Sequence, residues 1–231
     1  MKKHITSVCI ALICFLNAYS QENELKFGLR AFPALAWSRV EPDNYTDGSG
    51  VKYTFEGNGV KLRGGFGVFA DYYLKDNYAI HFGVNYLIHS AGYAVSFANT
   101  TQKRDYSVSY IQIPVALKLI SNEVTDGIKV YCTLGFAGNI RTSASVDGKR
   151  TYQETPGSEV KRYSKDMTLL AMDFIFSTGV EYELTGDTKL LVGISYMHGL
   201  FDINARKDDF IKNSSFALRH SLIAIDLGIK F

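Results

Sequence analysis

The sequence has few of the features that staple, anchor or charge a protein. It has 3 cysteines, and Cys9 and Cys14 both lie in the apolar run ITSVCIALICFL near the N-terminus. Beyond residue 20 only Cys132 remains, which excludes an intramolecular disulfide framework and a cysteine-rich zinc site. Proline is scarce at 4 and tryptophan occurs once. After residue 20 no stretch is apolar for long enough to form a transmembrane helix, and helical periodicity is weak throughout. Basic excess is missing too. The formal charge is +2, and Lys2 and Lys3 supply all of it; without them the net charge is zero. That leaves no basic surface for nucleic acid.

The first twenty residues differ from the rest. Lys2 and Lys3 form a positive n-region, ITSVCIALICFL an apolar h-region, and NAYSQ puts Ala18 and Ser20 at the small-residue positions of a cleavage site. The expectation is a secretory signal peptide over 1–20, cleaved near Ser20, followed by one domain over 21–231. Val8 and Ile13 precede the two cysteines where a lipoprotein signal requires a small residue, so no lipid anchor is expected.

What the sequence does contain is glycine, tyrosine and phenylalanine, at 20, 15 and 15 residues, and a strong period of two. Eight segments alternate: 25–36, 60–74, 78–94, 107–120, 128–144, 172–184, 188–200 and 219–231. Several reach the roughly nine to eleven residues that a tilted strand needs to cross hydrocarbon. In the fourth, Ile111, Ile113, Val115, Leu117 and Leu119 oppose Gln112, Ala116 and Lys118. In the last, Ile223, Ile225, Leu227, Ile229 and Phe231 oppose Leu222, Ala224, Asp226, Gly228 and Lys230. A soluble sandwich would put charge on its second face. Here that face is rich in Gly, Ala and Ser with isolated charges of both signs, which suits the crowded interior of a small barrel whose aliphatic rows face lipid.

The connections agree with this reading. LKDN, SNEVTDG and TGDT are short, whereas 37–59, 96–106, 145–171 and 201–218 are long and polar. Short periplasmic turns and long extracellular loops mark outer-membrane barrels, and an even strand number puts both termini in the periplasm. The expected fold is all-β: an eight-stranded antiparallel transmembrane β-barrel of the outer-membrane type. Pro114, at mid-strand, lacks a ladder donor and is expected to mark a bulge or a barrel corner.

The inward parity gathers Arg30, Asp71, Lys118, Arg141, Asp173, Glu181 and Asp226, with Lys129, Lys189 and Glu183 on the same parity. Charges inside a barrel must pair or line water, and eight strands leave an interior about filled by side chains. An internal ion-pair network is therefore expected, closed to large solutes. No catalytic, cofactor or metal site is expected. His89-Ser90 and His220-Ser221 are sequence neighbours, so their side chains point to opposite faces. RGGFGVF lacks the helix and the Lys-Ser/Thr of a phosphate loop. Asp208-Asp209 lacks the spacing of a calcium loop.

Four stretches carry a family resemblance: GFGVFADYYLKDNYAIHFGVNYL, YIQIPVALKL, GVEYELTGDTKLLVGISYMHGLFDI and LGIKF. Through them the chain resembles the PorT-like outer-membrane β-barrel proteins (porin family) of Bacteroidetes-type Gram-negative bacteria. The resemblance implies the barrel, the outer membrane with its lipid and lipopolysaccharide, and recognition of the C-terminal strand ending at Phe231 by the barrel-insertion machinery. Because PorT is named for a component of the type IX secretion apparatus, secretion-machinery subunits are the implied protein partners. Three function classes follow: a non-enzymatic structural or interaction barrel in secretion or envelope assembly, a narrow pore for ions or small solutes, and a lipid-modifying enzyme. The first is preferred.

Overall fold

The structure, a computed structural model, describes residues 24–57, 59–98, 100–153, 158–205 and 216–231. The expected signal segment 1–20 and Asp208-Asp209 lie outside the described residues. Twelve strands follow in order: β1 (Leu25–Glu41), β2 (Asn44–Thr46), β3 (Lys52–Gly57), β4 (Lys61–Lys75), β5 (Tyr78–Phe97), β6 (Thr100–Thr125), β7 (Ile128–Val146), β8 (Thr151–Tyr152), β9 (Lys161–Arg162), β10 (Leu170–Thr185), β11 (Thr188–Gly199) and β12 (Ala217–Lys230). Among the described residues a single 3₁₀ turn spans Tyr163–Asp166. No helix among the described residues is long and apolar enough to cross a membrane.

Eight of these strands are staves. They pair antiparallel in the ring β1–β4–β5–β6–β7–β10–β11–β12, and β12 returns to β1 from Gly28↔Lys230 to Glu41↔Ala217. Beyond the Gly28↔Lys230 pair, the Phe231 N–H donates to the Phe27 carbonyl at 2.7 Å. Every stave thus has two neighbours, which satisfies the backbone groups that hydrocarbon cannot. The aliphatic rows face outward: Phe27, Phe66, Val115, Leu134, Ile194 and Ile225 are each more than half exposed. In lipid that exposure costs nothing.

The eight expected strands are all present, and six of them, all but β4 and β11, run further at the loop end. β6 begins at Thr100 rather than 107, and the expected 96–106 loop is largely paired strand. The 37–59 stretch continues β1 to Glu41 and adds the β2–β3 hairpin, which pairs with β5. Pro114 produces no bulge. Its ladder to β5 is interrupted between Phe82↔Val115 and Asn85↔Gln112, but the register is the same on both sides, and on the other edge Pro114 pairs with Ala137. The missing N–H removes a bond without inserting a residue. The register shifts on β6 lie elsewhere along its β7 edge: two at the turn end, between Ile120 and Glu123 and between Glu123 and Thr125, and one between Ser109 and Tyr110. The last of these leaves Thr142 unpaired on β7, so Ala144 turns inward where strict alternation would not put it.

The inward glycines have a packing reason. Tyr131, Gly179, Gly193 and Asp226 occupy one register row across β7, β10, β11 and β12. A Cβ on Gly193 would meet the Tyr131 hydroxyl and the backbone of β10. The missing side chains therefore make room for the tyrosine to lie across two strands. Gly193→Val should destabilise the barrel by about 1–3 kcal/mol through overpacking. The temperature at which its detergent-gel mobility becomes heat-modified should fall accordingly.

Candidate functional site: the filled lumen

Inward side chains fill the barrel in layers from the tight-turn end to the loop end. At the turn end a vestibule of about 420 Å³ opens between Glu24, Lys26, Asp76, Glu123, Lys129 and Lys189. Lys26 pairs there with Glu24 at 2.6 Å and with Asp187 at 3.4 Å.

The floor of the vestibule is a ring of four charges. Lys118 Nζ contacts Asp71 Oδ2 at 2.7 Å and Glu181 Oε1 at 2.6 Å. Lys230 Nζ donates to both Glu181 oxygens at 2.7 Å and approaches Asp71 Oδ2 at 3.4 Å. Each lysine thus bridges the same two carboxylates. The four residues come from β4, β6, β10 and β12, every second stave of the ring. Around the barrel the charges alternate in sign, and like charges face each other across the lumen. None is more than 1% exposed. Burial of single charges would be prohibitive, but this set is neutral and saturated with charge-assisted bonds. His81 Nδ1 lies 2.6 Å from Asp71 Oδ1, and the Tyr73 hydroxyl accepts from Lys230 at 2.7 Å. Lys118 Nζ also sits 4.7 Å from the Tyr131 ring centroid.

Above the ring a cavity of about 30 Å³ has room for about one water molecule. Next comes a chain of polar side chains. Arg30 Nε donates to Asn85 Oδ1 at 3.0 Å, Asn85 Nδ2 to Gln112 Oε1 at 2.9 Å, and Gln112 Nε2 reaches Asp173 Oδ2 at 3.5 Å. His220 Nε2 meets Asp173 Oδ1 at 2.7 Å, and the His89 ring lies 4.2 Å from that of His220, centroid to centroid. Around and beyond this chain the lumen turns apolar. Phe32, Leu87, Ile175, Met197 and Leu222 form one buried group. At the loop end Phe55, Tyr93, Tyr106, Val108, Tyr110 and Phe216 form a second. Asp166 anchors this outer layer by accepting from the Tyr106 and Tyr152 hydroxyls, each at 3.2 Å.

The residues expected to form one network thus divide. Asp71, Lys118 and Glu181 meet in the ring. Arg30 and Asp173 belong to the polar chain above it. Asp226 acts on Arg30 electrostatically, but its Oδ1 and Arg30 Nη2 are buried without hydrogen-bond partners. Arg141 does not take part. It lies near the loop end, beside the shifted register of β7, and its Nε donates to the Thr168 carbonyl at 3.1 Å. Lys230 completes the ring; parity alone marks it only as an inward residue. The signal for it was present: an inward lysine on the stave that must close against β1. Ser221 lies opposite His198, not against its sequence neighbour His220. Ser221 Oγ accepts from Arg39 at 3.1 Å and His198 Nδ1 is engaged by the Tyr196 hydroxyl at 2.8 Å.

Residues 19–205 match the outer membrane protein beta-barrel domain family. The chain belongs to this family. The matched span ends before β12, the stave that closes the ring. Among solved structures, the outer-membrane protein OprG from Pseudomonas aeruginosa is 13% identical with a TM-score of 0.48, over 90% of this chain and 97% of that one. Neisserial surface protein A is 16% identical with a TM-score of 0.47, over 88% and 95%. The Yersinia pestis attachment invasion locus protein Ail, solved with the heparin analogue sucrose octasulfate, is 12% identical with a TM-score of 0.41, over 91% and 100%. No curated protein matches the chain. In this outer-membrane β-barrel, the ring residues Lys118, Glu181 and Lys230 adjoin the outward, exposed Leu117, Val180 and Ile229 in sequence.

Lys118→Met leaves two carboxylates with one lysine and should cost about 3–5 kcal/mol, the penalty of an uncompensated buried charge. Asp71→Asn combined with Lys118→Met should cost clearly less than the sum of the two single changes. Heat-modifiable mobility of the refolded variants measures both.

Proposed function

We propose that this protein is a non-enzymatic, non-conducting outer-membrane barrel with a structural or interaction role in protein secretion or envelope assembly. The carrying observation is the neutral, fully buried ring of Asp71, Lys118, Glu181 and Lys230, with an apolar layer stacked beyond it. A conducting lumen requires a continuous wet path, and here the side chains that would line it bond to one another. Catalysis by a Ser–His pair is disfavoured by the bonding of Ser221 to Arg39 and of His198 to Tyr196. With the lumen occupied, the surfaces left for work are the two ends and the lipid-facing wall.

In this reading the signal 1–20 is removed, residues 21–231 form the barrel, the termini and tight turns face the periplasm, and the long connections face outward. Membrane lipid and lipopolysaccharide surround the wall, and the insertion machinery reads the strand ending at Phe231. The PorT-like resemblance supports secretion-machinery subunits as the protein partners. The turn-end vestibule, lined by charges of both signs, favours one alternative, a narrow pore for ions or small solutes.

Planar-bilayer recording of the refolded protein separates the two. The expected result is no unitary conductance, and discrete openings would establish the pore instead. Crosslinking pull-down from native outer membranes should recover secretion or envelope-assembly subunits. Recovery of none would leave a stand-alone structural barrel.

A further inference from the structure

Near the loop end the outward faces of β11, β12 and β1 change character together. Register aligns Tyr196 with Ile223 and Ile223 with Leu35. The next outward row aligns His198, Ser221 and Trp37. In the row beyond, Arg219 lies beside Arg39. Toward the turn end the same faces carry Ile194, Ile225 and Leu29, all more than half exposed. Three neighbouring staves therefore pass from aliphatic through aromatic to cationic at one height, with about 7 Å between rows.

The polar groups there are held in place. The Trp37 and Tyr196 rings stack with centroids 6.4 Å apart and planes at 24°. Aromatic residues of this kind mark the level where hydrocarbon gives way to headgroups. The Tyr196 hydroxyl orients His198. Arg39 donates from Nε to Ser221 and from Nη2 to the Gly199 carbonyl at 3.0 Å, which leaves Nη1 without a hydrogen bond among the described residues. Arg219 Nη1 pairs with Glu41 at 2.7 Å, and its Nε is buried without a partner. Both arginines act electrostatically on His198. Like charges side by side across a ladder repel. Glu41 offsets only one of them, and Ser221 and Gly199 contribute no negative charge.

We propose that Arg39, Arg219 and His198 form a binding site for the exposed phosphate of an anionic membrane lipid, whose acyl chains lie along Leu35, Ile194, Ile223 and Ile225. A guanidinium pinned at two nitrogens offers a preorganised fork to phosphate oxygens. The aliphatic rows lie where the chains of such a lipid must run. This deepens the proposed function, because it rests on the loop end standing at a membrane interface and gives the lipid-facing wall a ligand.

The chain's single tryptophan, Trp37, is in the site and reports on it. The protein is refolded into phosphatidylcholine vesicles doped with either phosphatidic acid or phosphatidylcholine brominated on the acyl carbons nearest the headgroup. Brominated phosphatidic acid should quench Trp37 several-fold more steeply than brominated phosphatidylcholine at equal mole fraction. Arg39→Gln and Arg219→Gln, each confirmed as folded by heat-modifiable mobility, should remove the difference, and Arg39→Lys should keep part of it. Equal quenching by the two lipids in the wild type, or a preference that survives both glutamine variants, would overturn the site while leaving the membrane placement intact. No quenching by either lipid would overturn the placement and the site with it. Excess inorganic phosphate should leave the preference in place; its loss there would reassign the cluster to a soluble anion.

Discussion

Two lysines shared between two carboxylates hold the interior of this barrel together. Lys118 and Lys230 each contact Asp71 and Glu181, and the four residues come from alternate staves. The arrangement is neutral only when β4, β6, β10 and β12 are all present and in register. A slip of two residues on any of these staves would keep its lipid face apolar but move its charge to another layer, leaving the other three unbalanced. The aliphatic rows are indifferent to such a slip, because one outward Leu or Ile serves lipid as well as the next. Register in the membrane zone is therefore set by the inside of the barrel, in keeping with the use of buried charge for specificity rather than net stability.

The rest of the lumen follows from this ring. Tyr131 lies over Gly179 and Gly193 on one side and under the Lys118 ammonium on the other, so the glycines serve the charge ring indirectly. His81 engages the Asp71 oxygen that the lysines leave free. Above, Arg30, Asn85, Gln112 and Asp173 link four staves by hydrogen bonds. Where the polar side chains end, apolar side chains take over, and the cavity of about 30 Å³ above the ring is of about the size of one water molecule.

The architecture was legible in the sequence because it depends on parity alone. Ile113, Val115, Leu117 and Leu119 against Gln112, Ala116 and Lys118 assign both faces of β6 without a structure. The same parity placed Asp71, Lys118 and Glu181 in the interior. It does not carry height. Two inward residues meet only if the stagger of their strands brings them to one level, and stagger is a property of the closed ring. Arg141 therefore looked equivalent to Lys118 and proved to belong to the loop end, whereas Lys230, one residue short of Phe231, reaches the centre of the ring. The juxtaposition of Ser221 and His198 is hidden for the same reason: they are register partners 23 positions apart along the chain. Pro114 misled in another way, since a missing donor can be absorbed by one absent bond without any bulge.

At the loop end β5, β6 and β7 run past the aliphatic belt and bury Tyr93, Val95, Tyr106, Val108 and Ala144 inside, with Phe55, Met167 and Phe216 packed against them. A single strand such as β6 therefore obeys opposite rules along its length. At Val115 the apolar side chain points out and the interior is polar; at Val108 the apolar side chain points in. The outer segment is organised as a water-soluble protein is, by the exclusion of water from a core, and the inner segment is organised for a solvent of hydrocarbon. The molecule is two folding problems written on the same staves. Its outer part has a reason to be compact in water before any lipid is present, whereas its inner part acquires one only on insertion.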